Sequence, residues 1–277
     1  MDIVKTVTLD PLGQCMYCGV SGVVLTAEHV VPRGMNGELL LPASTCDICK
    51  EIIGKEIETP FLKRGGSLAD FRLVMGLRSY KPKRQPGDVK MTFVKADGST
   101  FLKKVDKRQA AALMSWPEFV RARYLMAELP FQARDGMEVC AIQDALVGGS
   151  IAKLAKANGA VSVHFRVEID PNVLNRLLCK IAYGCHVAER GLFPREESPA
   201  LAVLMGRRRD YTSWVGSCEV DEVPSRPGGW HQLSIHDVTT PMGTTCTVVH
   251  IRLFQKHRPL TQYEVVTHAK GWRNVAL

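Results

Sequence analysis

Two Cys-x-x-Cys pairs, Cys15/Cys18 and Cys46/Cys49, constrain what this chain can fold into more than any other feature. Paired thiolates at that spacing sit on tight knuckles, and two such knuckles supply the sulfurs that a tetrahedral Zn2+ needs. Gly19 follows the first pair and the second runs into a helical pattern, so one ion is expected to pin a loop to the start of a helix. A site closed by cysteines leaves no open position for water or substrate, so such a zinc contributes folding energy and no catalysis. The remaining cysteines (Cys140, Cys179, Cys185, Cys218, Cys246) follow no ligand spacing and read mostly as small core residues. A mixed set of this kind suits a reducing compartment.

Reactive chemistry is therefore expected between the knuckles, where Glu28 and His29 are adjacent in LTAEHVVPRG. Val23, Val24 and Leu25 form an apolar β-type run before them, and Val30, Val31 and Pro32 continue in extended form and stop any helix. A histidine presented there can accept a proton from water near neutral pH. A carboxylate beside it can help hold a hard divalent cation, which polarises a phosphoryl oxygen and stabilises the leaving oxygen.

With these residues the stretch resembles the HNH nuclease family, in particular the zinc-containing versions of the ββα-metal fold. The shared pattern is Cys15 and Cys18, then Glu28 and His29 followed by Val30, Val31 and Pro32, then Cys46 and Cys49 opening a helix. The resemblance implies that His29 activates the attacking water and that Glu28 binds a catalytic ion, Mg2+ or Mn2+. It also implies two short strands carrying the motif and a helix starting near Lys50. Two positions depart from the family. Lys50 stands where many members carry an asparagine or histidine ligand, and PAST replaces the middle asparagine before the second knuckle. Ser44 or a backbone carbonyl is then left to orient His29, and Glu51 or Glu56 to complete the metal shell.

Net charge is +8, which suits a polyanionic partner, and its distribution says more than the total. Between Lys63 and Arg84 the basic residues Lys63, Arg64, Arg72, Arg78, Lys81, Lys83 and Arg84 face the single acid Asp70. This segment reads either as a phosphate-binding surface or as a solvated connector; its Lys63, Arg64, Lys83 and Arg84, with Lys50 beside the second knuckle, are the expected nucleic-acid contacts. The start MDIVKTVTLD is too polar for a secretory signal, and no apolar run approaches a membrane span, so a soluble cytoplasmic protein is expected.

Beyond the connector, KMTFVKADGSTFLKKV predicts a β-hairpin around Asp97 and Gly98 with a basic outer face of Lys90, Lys95, Lys103 and Lys104. Residues 107 to 129 read as helical, with Pro117 in the first turn. VSVHFRVEI reads as a strand with His164, Arg166 and Glu168 on its solvent side. Asp170 and Pro171 then open a helix whose apolar face is Val173, Leu174, Leu177, Leu178, Ile181, Ala182 and Cys185. Ser198 and Pro199 start a shorter helix that ends in Arg207, Arg208 and Arg209. Three β-rich runs, 229 to 238, 244 to 254 and 261 to 269, predict an antiparallel sheet, with His231, His236, His250, His257 and His268 at exposed positions.

The resulting expectation is an α+β chain: a zinc-stapled ββα-metal module at 1–62, a basic connector at 63–88, and a larger domain of helices and antiparallel sheet at 89–277. Function is expected to be metal-dependent hydrolysis of phosphodiester bonds in DNA. The alternatives are a zinc-knuckle module that binds nucleic acid without cutting it, and a nuclease effector regulated by its C-terminal domain, as in restriction or phage defence; that domain is also where a homo-oligomer or a regulatory partner is expected.

Overall fold

A hairpin joins the two knuckles. In the computed structural model, which describes residues 6–62, 68–77, 87–126, 135–165, 169–219, 229–255 and 261–272, strand β1 (Val7–Thr8) is followed by β2 (Leu25–His29) and β3 (Leu39–Cys46). β2 pairs antiparallel with β3, and β1 lies parallel to β3 on its other side. The β2–β3 register slips between Thr26 and Glu28, a bulge that turns the Glu28 side chain into the interior.

Helix α1 (Asp47–Ile53) starts directly after Cys46 and runs through one wide π turn, Gly54–Glu58, into α2 (Thr59–Leu62). Pro60 accounts for the wide turn, because its ring crowds the carbonyl one turn back and it has no N–H to donate there. The chain thus runs strand, strand, helix across the two knuckles, and the helix begins three residues before Lys50.

Helix α3 (Ala69–Val74) leads to the hairpin of β4 (Asp88–Val94) and β5 (Thr100–Asp106), with Gly98 at φ 82° in its turn. Lys90 and Lys104 face each other across it as exposed neighbours, whereas Lys103 lies opposite Met91 on the other face, so the expected lysines do not all share one outer face. The expected helix over 107 to 129 is instead strand β6 (Ala111–Phe119), followed by only one turn of helix, α4 (Arg123–Met126). β6 pairs with β7 (Val139–Gly148) in a two-stranded sheet, where a strand has a free edge and the missing N–H of Pro117 breaks no ladder. β6 is buried on both faces, so the alternation that marks a half-buried strand is absent from its sequence.

Helix α5 (Ile151–Ala157) precedes β8 (Ser162–His164), which adds to β4 opposite β5; Arg166 and Glu168 lie outside the described residues. Helix α6 (Pro171–Arg190) starts as expected, with the Asp170 carboxylate accepting from the N–H groups of Asn172 and Val173 at 2.9 and 3.3 Å. It is buried almost all round from Leu174 to Val187, which makes it the central helix of the molecule. Helix α7 (Pro199–Leu204) stops before the arginine cluster. Arg208 then chelates Asp210 at 2.7 Å while lying against Trp214 and Trp272.

After α8 (Tyr211–Trp214), strands β9 (Val215–Cys218), β10 (Gln232–Thr239), β11 (Thr245–Arg252) and β12 (Gln262–Ala269) form one antiparallel sheet in the order β10-β11-β12-β9. A single apolar core holds Met16, Tyr17, Val30 and Met35 from the knuckle module together with Leu177, Ile181 and Tyr183 from α6 and Val249, Ile251 and Val265 from the sheet. No helix among the described residues is long and apolar enough to cross a membrane.

Among the described histidines, those expected at exposed positions are half-buried and hydrogen-bonded. His231 Nε2 lies 2.7 Å from the Met35 carbonyl and Nδ1 accepts from the Phe254 N–H, so the ring bridges module and sheet as the neutral imidazole. Burial holds His231 at about 4, and burial together with Arg190 and His268 holds His186 at about 4 as well. Both folded values lie below the ordinary 6.5, so between pH 6.5 and 4 the unfolded chain takes up protons that the folded chain refuses. Thermal melts are therefore expected to show stability falling through that window, by up to about 3 kcal/mol per histidine. A flat profile contradicts the neutral bridge.

Candidate metal centre

The first knuckle forms because Gly19, at φ 78°, returns its N–H to the Cys15 carbonyl at 2.7 Å while the Cys15 N–H bonds the Val20 carbonyl at 2.8 Å. A side chain at Gly19 would also fall on the Arg195 guanidinium, which packs over the turn. The second knuckle is the end of β3 and the first turn of α1. Together they bring the sulfurs of Cys15, Cys18, Cys46 and Cys49 to within 4.8 Å of one another, with Cys18 and Cys46 at 3.7 Å. Zinc–sulfur bonds of about 2.3 Å give a tetrahedron with edges of about 3.8 Å, so the cluster fits the ion the sequence predicts.

Electrostatics agree with that fit. Burial works against ionising Cys15, but backbone hydrogen bonds from Cys46, Cys18 and Tyr17 outweigh it and bring the thiol down to about 7. Cys49 is pushed far up, first by burial and then by the charge on Cys15, and burial raises Cys18 too. A second thiolate is thus resisted by the first, a conflict that a dication at the centre removes.

Glu28 sits in a different environment. It is buried, and its carboxylate contacts the ammonium of Lys180 at 2.7 Å and accepts from the Thr45 hydroxyl at 3.3 Å. Lys180 projects from α6, is fully buried, and also contacts Glu58 at 3.3 Å, the Val30 carbonyl at 3.3 Å and the His29 carbonyl. Burial alone would discharge Lys180, but Glu28 and Glu58 reverse the direction and hold it charged. Burial pushes Glu28 up by more than Lys180 draws it down.

Oxygens from two carboxylates and two carbonyls around one cation are what a hard metal ion would collect. Here an ammonium collects them. A divalent ion on Glu28 does not fit this arrangement, whereas zinc on the four cysteines does.

His29 lies beside this cluster on β2, opposite Leu40, and is half-buried. Ser44 is fully buried and donates to the Leu41 carbonyl at 2.7 Å. Glu51 pairs with Lys55 on the helix surface, and Glu56 pairs with Arg176 of α6 at 2.8 Å. Lys50 is exposed on α1, while Lys63, Arg64, Lys83 and Arg84 lie outside the described residues. Sequence reasoning missed Lys180 and Glu58. The available signal was a lysine inside the apolar run LLCKIAYGC, where a charge needs a buried partner.

The module is anchored to α6 by more than this ion pair: the Tyr183 hydroxyl donates to the Met16 carbonyl at 2.8 Å inside the first knuckle. The chain matches no protein-family model, no curated protein and no solved structure.

Proposed function

We propose that the chain is a zinc-stapled endonuclease of the HNH kind that hydrolyses phosphodiester bonds in DNA, with His29 as the general base. The observation that carries this reading is the joining of a four-cysteine cluster to a strand–strand–helix unit that bears Glu28 and His29 on its first strand. His29 takes a proton from water, the water oxygen attacks phosphorus, and the bond from phosphorus to the leaving oxygen breaks, its electron pair going to that oxygen, which takes a proton from solvent. Zinc on the cysteines supplies no chemistry to that step and holds the strands and helix in place. A net charge of +8 favours the polyanionic substrate.

A second reading rests on the Lys180–Glu28 contact: a module that binds nucleic acid through Lys50 and neighbouring basic groups and does not cut it. Incubation of supercoiled plasmid and single-stranded DNA with the protein and Mg2+ or Mn2+ separates the two. The nuclease reading expects nicking or degradation that falls at least about 100-fold in His29→Ala, the range of a general base. DNA binding by both proteins with no cleavage under either metal selects the second reading.

A further inference from the structure

The C-terminal sheet carries a polar face that the sequence does not announce. Antiparallel register sets His250 of β11 opposite Glu264 of β12, and Glu264 opposite Gly216 of β9. Two residues along, Arg252, Gln262 and Cys218 form the next row on the same face. Cys218 Sγ, a ring nitrogen of His250 and a carboxylate oxygen of Glu264 thereby lie within 4.8 Å of one another.

We propose that Cys218, His250 and Glu264 form a second transition-metal site, of the zinc class, separate from the four-cysteine centre. A thiolate, an imidazole and a carboxylate are a borderline-soft set that suits Zn2+ or Co2+ and not Mg2+. The three ligands and a dication sum to zero charge once binding displaces the thiol proton of Cys218, with the Arg121 charge on the outer side of the Glu264 carboxylate.

The carboxylate is already held in place from outside. Arg121 grips both Glu264 oxygens at 3.2 and 2.9 Å, and the Ala122 N–H donates to one of them at 2.9 Å. This is the kind of outer-shell bonding that orients a metal ligand. Gly216 is what lets that loop approach, since a Cβ there would lie 2.2 Å from the Ala122 nitrogen.

Glu264 is fully buried, whereas Cys218 and His250 are half-buried and reachable from solvent. Gln262 Nε2 lies 3.3 Å from Cys218 Sγ and 3.4 Å from His250 Nδ1, so ligand atoms from two strands converge on one point. A metal takes that point by turning the Gln262 amide aside. The His236 ring, 4.9 Å from that of His250, stands at the rim as a candidate fourth ligand, with water as the alternative.

The site is independent of the nuclease reading, and its test does not use DNA. Full-length protein equilibrated with micromolar free zinc and then desalted is expected to retain two zinc ions per chain. Cys218→Ser/His250→Ala is expected to retain one, with the second-site affinity lowered by more than the 10- to 100-fold typical of losing an outer-shell partner. The isosteric Cys218→Ser alone serves if the double variant does not fold, and in Co2+-loaded protein it should remove a thiolate-to-cobalt absorption while leaving that of the four-cysteine centre. Saturation of the wild type at one zinc, or two zinc ions retained in the variants, overturns the proposal.

Discussion

Lys180→Met is expected to destabilise the protein by about 3–5 kcal/mol, the usual result of removing one partner from a buried ion pair. At about 2–4 °C per kcal/mol for a chain of this size, the melting temperature should fall by roughly 10 °C. The cause is not the lost attraction alone. Glu28 is buried, and without the ammonium its charge has, among the described residues, the Thr45 hydroxyl left to meet it. The sign of the pH dependence follows. A carboxyl whose folded value is raised above its unfolded value contributes stability at low pH and loses it as pH rises. Burial already raises Glu28, and removing Lys180 raises it further, so the variant's deficit should be largest at pH 8 and shrink toward pH 5. Adding Glu28→Gln should recover part of the loss, which is the coupling that a double-mutant cycle over temperature melts measures. Independent, additive losses would show that the pair is not the link between module and helix.

Cys46→Ser/Cys49→Ser is expected to have the larger effect. Removing both sulfurs of the second knuckle leaves two ligands, too few for a structural zinc. Apparent binding energies of about 10–16 kcal/mol for such sites at pH 7 compare with a whole-domain stability of about 5–15 kcal/mol. The module should therefore come apart. Its unfolding strips Met16, Tyr17, Val30 and Met35 from the shared core and breaks the Tyr183 bond to Met16, so the loss spreads into α6. Limited proteolysis is the readout: new cleavage between the knuckles in the variant, none in the zinc-loaded wild type. A variant as resistant as the wild type would show that the hydrophobic core alone holds the module.

The knuckles, the hairpin turn at Gly98, the start of α6 at Asp170 and Pro171 and the last three strands were legible in the sequence, because each rests on spacing, turn chemistry or periodicity within a few residues. Lys180 was not, because its partners lie more than 100 positions away in the chain and only the fold brings them together. Strand β6 was missed for a different reason. Both of its faces are buried, so ALMSWPEF carries no alternation, and Pro117 suggested a helix start when it lies opposite Ile142 in a two-stranded sheet. The histidines of the C-terminal sheet looked like surface residues because strand periodicity does not say what covers a polar face. His231 spans to Met35 of the module and His250 lies beside Cys218, contacts fixed by register and long-range packing.

The most direct measurement is the absorption spectrum of the Co2+-substituted protein in the Cys218→Ser/His250→Ala background, where the four-cysteine centre is the one candidate site left among the described residues. Four thiolates around a tetrahedral ion predict an intense sulfur-to-cobalt band in the near ultraviolet and strong visible bands, both reaching their plateau at one equivalent and both lost in Cys46→Ser/Cys49→Ser. A weak octahedral spectrum with no sulfur band would contradict the centre and, with it, the module that carries Glu28 and His29.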